Sequence, residues 1–225
     1  MLKVKRSPIY LLSLAALFVS FESTAHPVTF ESGIAVSTTH QRGFNLWHAN
    51  YSLNSKVALG IDYLNLNHTS EKRLALARAN FLVKRWFGKG RQGNVYILSG
   101  IGLQLNQSPD TSLSESLRRP LAMIGAQVDY ETRRFYTALL GRLISDQDFQ
   151  SDAMTYHVLY RMGLAPYTSL SQELQAWFVA QVSMHSGIKS EANITLLMRF
   201  FHKTALWEIG ADTQGHPWIH LMSHF

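Results

Sequence analysis

The sequence contains no cysteine, few prolines and, after its first 25 residues, no long run of apolar residues. The absence of cysteine excludes disulfides and any thiolate metal site. A membrane-spanning helix needs about 20 consecutive apolar residues, so such helices are excluded after residue 25, although 46% of the chain is hydrophobic. No Pro-, Gly- or Ser-rich linker and no block of like charge divides the rest. This predicts one domain over residues 26–225.

Residues 1–25 have the pattern of a secretory signal peptide. Three basic residues precede an apolar run at residues 9–21, and small residues follow at Ser23 and Ala25. The run of about a dozen residues is too short to cross a bilayer as a helix. We therefore predict export, cleavage after Ala25 and a mature chain that begins at His26.

Apolar and polar residues alternate strictly in the part of the chain that follows. Within "QELQAWFVAQVSMH", every even position from Leu174 to Met184 is apolar, and the odd positions include Gln175, Gln181 and His185. Because a strand directs successive side chains to opposite faces, this pattern predicts strands with one apolar face. Eleven breaks of polar and turn-forming residues separate twelve such stretches. The predicted strands are 28–37, 44–53, 56–66, 73–87, 93–105, 119–131, 134–145, 153–165, 172–185, 191–201, 203–211 and 216–225.

The connections between these stretches also alternate in length. Those after even-numbered strands are mostly short, and those after odd-numbered strands tend to be longer and more polar, the longest being "NQSPDTSLSES". An even strand count with short turns at one end and longer loops at the other is typical of transmembrane barrels. The sequence predicts an all-β, antiparallel, up-and-down transmembrane barrel of twelve strands, with ten as the alternative count.

The signal peptide, the alternating strands and the C-terminal Phe225 together resemble a Gram-negative outer-membrane β-barrel. In that class the terminal aromatic strand is the signal read by the barrel-assembly machinery. Stretches such as "LVKRWFGKGRQGNVYILSGIG" and "ETRRFYTALLGRL" are also similar to a group of small proteobacterial outer-membrane proteins whose mature chains start with His-Pro. The resemblance covers the mature chain. It implies an outer-membrane location in contact with lipid and lipopolysaccharide, and it implies no activity.

The second face of each predicted strand carries polar residues, which predicts a polar lumen with charges of both signs. The formal net charge is +6, and export argues against nucleic acid as the partner. Ionised groups inside a small barrel must pair or stay hydrated. Two interpretations stay open: a conduit or binding site for small polar solutes or ions, and a salt-bridged plug in a structural or interaction barrel. The predicted lumen residues are Glu31, His48, Asp62, Arg78, Lys84, Asp129, Glu131, Arg142, His157, Arg161, Arg199, Glu208 and Asp212.

The final strand, "GHPWIHLMSHF", suggests a metal site as a less favoured hypothesis. His220, Met222 and His224 share its lumen face, and barrel closure should bring His26 of the first segment close to them. Imidazole and thioether ligands suit copper, and a nitrogen-rich set also suits zinc. The alternative is a group of solvated histidines at the rim, with no cofactor.

A serine–histidine hydrolase acting on lipid is the remaining alternative. Ser183 and His185 share a face, and Ser186 adjoins His185. That face is predicted to point inward, away from lipid, and the sequence identifies no acidic group to orient the histidine. We therefore predict a protein that is not an enzyme and assign no catalytic residue.

Overall fold

The computed structural model describes residues 26–67, 71–106, 118–145, 155–168, 173–186 and 189–225, so the predicted signal peptide lies outside the described residues. These residues form twelve strands. They are β1 (Ile34–Gln41), β2 (Phe44–Ser52), β3 (Val57–Asn67), β4 (Glu71–Gly88), β5 (Arg91–Asn106), β6 (Arg118–Thr132), β7 (Phe135–Ile144), β8 (Thr155–Leu164), β9 (Gln175–His185), β10 (Lys189–His202), β11 (Ala205–Asp212) and β12 (Pro217–His224).

Each strand pairs antiparallel with its sequence neighbours, and β1 pairs with β12 to close the barrel. At the closure, the Ile34 amide donates to the Phe225 carbonyl at 3.0 Å, and the Phe225 amide donates to the Ile34 carbonyl at 2.8 Å. Closure satisfies both edge strands, which would otherwise present unpaired backbone groups. The predicted fold class and strand count of twelve are confirmed. Among the described residues, no helix has the length and hydropathy needed to cross a membrane.

The two rims of the barrel differ in the chain segments that they carry. The terminal rim carries residues 26–33, Phe225 and the connections after even-numbered strands, and the loop rim carries the connections after odd-numbered strands. The turn between β4 and β5 has only two residues, and Gly90 there has a φ of +67°, a conformation that costs glycine little.

Exposed apolar side chains form a belt around the outer wall. Because side chains alternate along each strand, the same pleat that turns these residues outward turns polar residues into the lumen. All twelve strands contribute to the belt, for example through Ile34, Trp47, Ile61, Phe81, Ile101, Ile124, Leu139, Leu164, Phe178, Leu196, Ile209 and Leu221.

The first strand begins later than predicted. Residues 26–33, here called the N-terminal segment, precede β1 instead of forming its first half. The segment turns tightly, since Ser32 has a φ of +62° and the Gly33 amide donates to the Phe30 carbonyl. Glu31 lies exposed at this turn, so its predicted place in the lumen is wrong.

The prediction that Lys84 faces the lumen is also wrong, because β4 contains a β-bulge. The register between β4 and β5 shifts between Leu82 and Lys84, so that Arg85 pairs with Asn94. The extra residue reverses which side chains face inward. Lys84 is therefore exposed on the outside, and Arg85 takes the inward position and donates from Nε to the Asn94 side chain at 2.6 Å.

Candidate functional site

Eleven of the predicted lumen residues occupy inward positions of the barrel wall. Four of their five carboxylates organise three separate clusters, centred on Glu208, on Asp62 and on the pair Asp129 and Glu131, and the fifth, Asp212, pairs with His216. The inward residues are His48, Asp62, Arg78, Asp129, Glu131, Arg142, His157, Arg161, Arg199, Glu208 and Asp212.

Glu208 is almost completely buried, at 1% exposure, between two arginines. Arg161 Nη2 donates to Glu208 Oε2 at 2.7 Å, and Arg199 Nε donates to Glu208 Oε1 at 2.7 Å. The Arg199 guanidinium also lies 4.7 Å from the centroid of the Tyr136 ring. Each carboxylate oxygen thus has a charged donor, which offsets the cost of burying the charges. Sequence alternation indicated the three charged residues, but nothing in it indicated the aromatic partner Tyr136.

Asp62 is shared by His48 and Arg78 on the neighbouring strands. Asp62 Oδ1 lies 2.5 Å from His48 Nδ1, and Asp62 Oδ2 lies 3.1 Å from Arg78 Nε, an ion-pair distance without hydrogen-bond geometry. Arg78 Nη2 donates to Asn50 Oδ1 at 3.2 Å. The cluster holds three strands, β2 to β4, in fixed lateral contact.

The N-terminal segment enters the lumen at the terminal rim. Asn50 and Asn80 donate from their side-chain amides to the Pro27 carbonyl, at 3.4 and 3.3 Å. Val28 is fully buried, and the Thr29 amide donates to Ser52 Oγ at 3.0 Å. The segment therefore fills part of the lumen mouth. Its apolar and polar composition resembles that of a strand, which is why the sequence pattern assigned it to β1.

His26 anchors the end of this segment to β6. Its Nδ1 lies 3.5 Å from Asp129 Oδ2, and its Nε2 lies 3.8 Å from Glu131 Oε1. Asn94 donates to the other oxygen of Asp129 at 2.6 Å. Burial lowers the pKa of His26, but hydrogen bonds and charge from the two carboxylates outweigh it and raise the pKa from 6.5 to about 9.

We predict that the His26 imidazole stays protonated at neutral pH and titrates near 9. Because its pKa is raised in the docked state, the ion pairs stabilise docking fully below the ordinary value of 6.5, and this contribution is lost as the pH rises through about 9. NMR titration of a protein that begins at His26, with labelled histidine, would measure the pKa. In a variant with Asp129→Asn and Glu131→Gln, the value should fall. An unchanged titration near 6.5 in the parent protein would contradict the ion pairs.

A cavity of about 170 Å³ occupies the middle of the lumen. Three arginines and four histidines line it, and its described lining contains no aspartate or glutamate. The lining charged and titratable residues are Arg78, Arg142, Arg161, His26, His48, His157 and His220. A volume of this size holds several water molecules or one small solute.

A second cavity, of about 400 Å³, lies at the loop rim. It shares Gln41, Ser183 and Trp218 with the lumen cavity, so the two spaces adjoin. Asp212 lies at this rim and pairs with His216, whose Nδ1 is 3.0 Å from Asp212 Oδ2.

The structure does not bring all four predicted metal ligands together, although Met222 and His224 are in contact. His26 contacts β6, His220 Nδ1 lies 2.8 Å from Thr39 Oγ1, and His224 Nε2 lies 3.0 Å from Met222 Sδ. In the part of the chain that the structure describes, no group of three or more His, Asp and Glu side chains could hold one metal ion. His26 is near enough to His224 for electrostatic interaction, but carboxylates on the opposite wall hold its imidazole.

The serine and histidine considered for hydrolysis also face inward. Ser183 and His185 both line the loop-rim cavity, and the His185 ring lies 5.6 Å from the ring of His157. An ester of a membrane lipid would lie outside the wall, on the opposite face of β9. The orientation therefore does not suit a lipid hydrolase.

No known family model matches the sequence, and no curated protein matches it. Five solved chains are similar in fold, among them the following two. A KdgM porin in complex with disordered oligogalacturonate gives a TM-score of 0.49 at 12% identity, covering 86% of this chain and 98% of that chain. The Pseudomonas aeruginosa protein OccK11 (OpdR) gives a TM-score of 0.40 at 8% identity, covering 84% of this chain and 63% of that chain.

Proposed function

We propose that this chain is an outer-membrane β-barrel of a Gram-negative bacterium, with a narrow lumen that admits and binds small polar solutes or ions. The single observation that carries the proposal is a closed barrel with an apolar belt outside and a charged cavity inside. A belt contributed by every strand is far larger than the apolar patches of soluble monomers. Such a belt is suited to the hydrocarbon core of a membrane.

The adjoining cavities support entry of solutes from the loop rim. The larger cavity opens at that rim, and the smaller one continues it into the lumen past Gln41 and Trp218. In the outer membrane the loop rim would face outward and the terminal rim the periplasm. Phe225 pairs with β1 at the terminal rim, consistent with a role in recognition by the barrel-assembly machinery.

A non-conducting structural or interaction barrel is the second candidate. It is favoured by the N-terminal segment, which occupies the lumen at the terminal rim. In this case the charge clusters would only hold the barrel in shape, and the segment would be a permanent plug.

Planar-bilayer recording of the purified mature protein separates the two candidates. For a solute pathway we expect small, discrete conductance steps and slow uptake of small polar solutes into liposomes that contain the barrel. Heat-denatured protein is the control. If neither the parent protein nor a variant lacking the N-terminal segment conducts ions or admits solute, the channel proposal is wrong.

Location is tested separately. The mature protein should fractionate with the outer membrane and migrate faster on gels before heating than after it. Recovery in the periplasmic soluble fraction would contradict the membrane proposal.

A further inference from the structure

Among the described residues, Arg142 has no hydrogen-bond or ion-pair partner in the lumen. None of the described residues makes a hydrogen bond or an ion pair with its guanidinium, and its Nε is buried and unsatisfied. Asp62 interacts with it electrostatically, but this carboxylate already contacts His48 and Arg78. An ionised group in such a place is costly unless something else pairs with it.

The charge balance around the cavity is also uneven. The clusters of Glu208 and Asp62 supply two carboxylates, whereas Arg78, Arg161, Arg199 and the unpaired Arg142 supply four guanidinium groups. Both carboxylates lie behind the arginines, because neither belongs to the cavity lining. These two clusters and Arg142 thus leave two guanidinium charges without a carboxylate. The third cluster offsets one of them, because Asp129 and Glu131 face a single histidine cation, and the cavity surface stays positive at its arginines.

Local packing leaves room for Arg142. Gly125 on β6 stands directly opposite it, and a Cβ added at Gly125 would lie 3.1 Å from Arg142 Cγ. The missing side chain leaves room for the arginine stem to pass over β6. Elsewhere on the same cavity wall, Gln181 is 1% exposed, and neither its Nε2 nor its Oε1 has a partner. The cavity thus has a free charged donor and a free amide donor.

We propose that the lumen cavity binds a small oxyanion, meaning a solute with a carboxylate or phosphate group, with Arg142 as its principal ligand. Arg78 and Arg161 add attraction from the cavity wall, and a guanidinium fork matches the paired oxygens of either group. The cavity volume of about 170 Å³ limits the ligand to a small solute. The inference rests on the proposed function, because it names the class of solute that the lumen accepts.

The test is an NMR titration of the mature barrel in detergent micelles, with labelled arginine and with sodium phosphate and sodium acetate as separate probes. We expect saturable shifts of the Arg142 Nε–H signal. Arg142→Gln should weaken binding by at least about tenfold, since it removes a charge-assisted hydrogen bond. Arg142→Lys, which keeps the charge and loses the fork, should retain part of the affinity. Saturation by one probe alone assigns the site to that oxyanion.

Arg85→Gln is the matched control, because Arg85 also faces the lumen but does not line the cavity. It should bind both probes as tightly as the parent protein, and heat-modifiable migration checks that each variant is folded. Should Arg142→Gln fail to fold, Arg142→Lys against Arg85→Lys carries the comparison. No saturable binding of either probe by the parent protein, or equal binding by the Arg142 variants, overturns the inference. Binding by a barrel that neither conducts ions nor admits solute, with or without the N-terminal segment, overturns the channel proposal and leaves the oxyanion site standing.

Discussion

Replacing Glu208 with Gln is expected to destabilise the folded barrel by about 3–5 kcal/mol, the cost of breaking a buried ion pair from one side. Arg161 and Arg199 each direct a guanidinium donor at one oxygen of this carboxylate at 2.7 Å. The amide that replaces it carries no charge and offers only one acceptor oxygen. Two buried cations would then face each other without a counter-charge.

The measurement is denaturant unfolding of the barrel refolded into lipid vesicles, followed by heat-modifiable migration. Glu31→Gln is the matched control, since this glutamate is exposed at the turn of the N-terminal segment. It should change the free energy of unfolding by less than about 0.5 kcal/mol. A loss of less than about 1 kcal/mol in Glu208→Gln would mean that water or an ion compensates the arginines.

Replacing Glu208, Arg161 and Arg199 together by apolar residues should not destabilise the barrel in the same way. Because burying three charges is itself costly, a well-packed apolar substitute is often neutral or stabilising. Glu208 is therefore critical only while Arg161 and Arg199 remain, and a single substitution does not measure the net value of the cluster.

The sequence predicts the barrel well because every strand has one apolar and one polar face, so apolar and polar residues must alternate along it. With an apolar outer face and a polar lumen, the phase of each strand is fixed, so the burial of Asp129, Arg199 and Glu208 follows from counting by twos. The same counting fails at Lys84, where one extra residue inverts the phase. A signal for the bulge exists, because Phe81 and Val83 are apolar at odd positions and Trp86 is apolar at an even one.

Contacts across the lumen are much harder to predict from the sequence. Alternation gives the face of a residue but not the height and direction at which long side chains meet. The pairing of Glu208 with Arg161 joins strands that are not neighbours in the barrel, and so does the approach of His26 to β6. His26 was expected beside β12 because first and last strands pair. Its charge instead draws it to Asp129 and Glu131.

Starting the chain at Ser32 instead of His26, which removes residues 26–31, is expected to raise conductance several-fold. The removed residues include the His26 anchor, the Pro27 carbonyl that Asn50 and Asn80 hold, and the buried Val28. All of them occupy lumen space at the terminal rim. β1 begins only at Ile34, so its pairing with β12 does not need them.

A second variant releases the segment without shortening the chain. Asp129→Asn combined with Glu131→Gln removes both carboxylates that hold His26, and it should produce frequent transitions to the larger conductance. Glu31→Gln, which changes a carboxylate on the exposed turn, should keep the conductance of the parent protein. Raising the pH above about 9 should act like the double substitution, because it discharges His26. If the truncated barrel is folded and its conductance equals that of the parent protein, the N-terminal segment does not limit the pathway, and the narrowest point lies at the arginine-lined cavity.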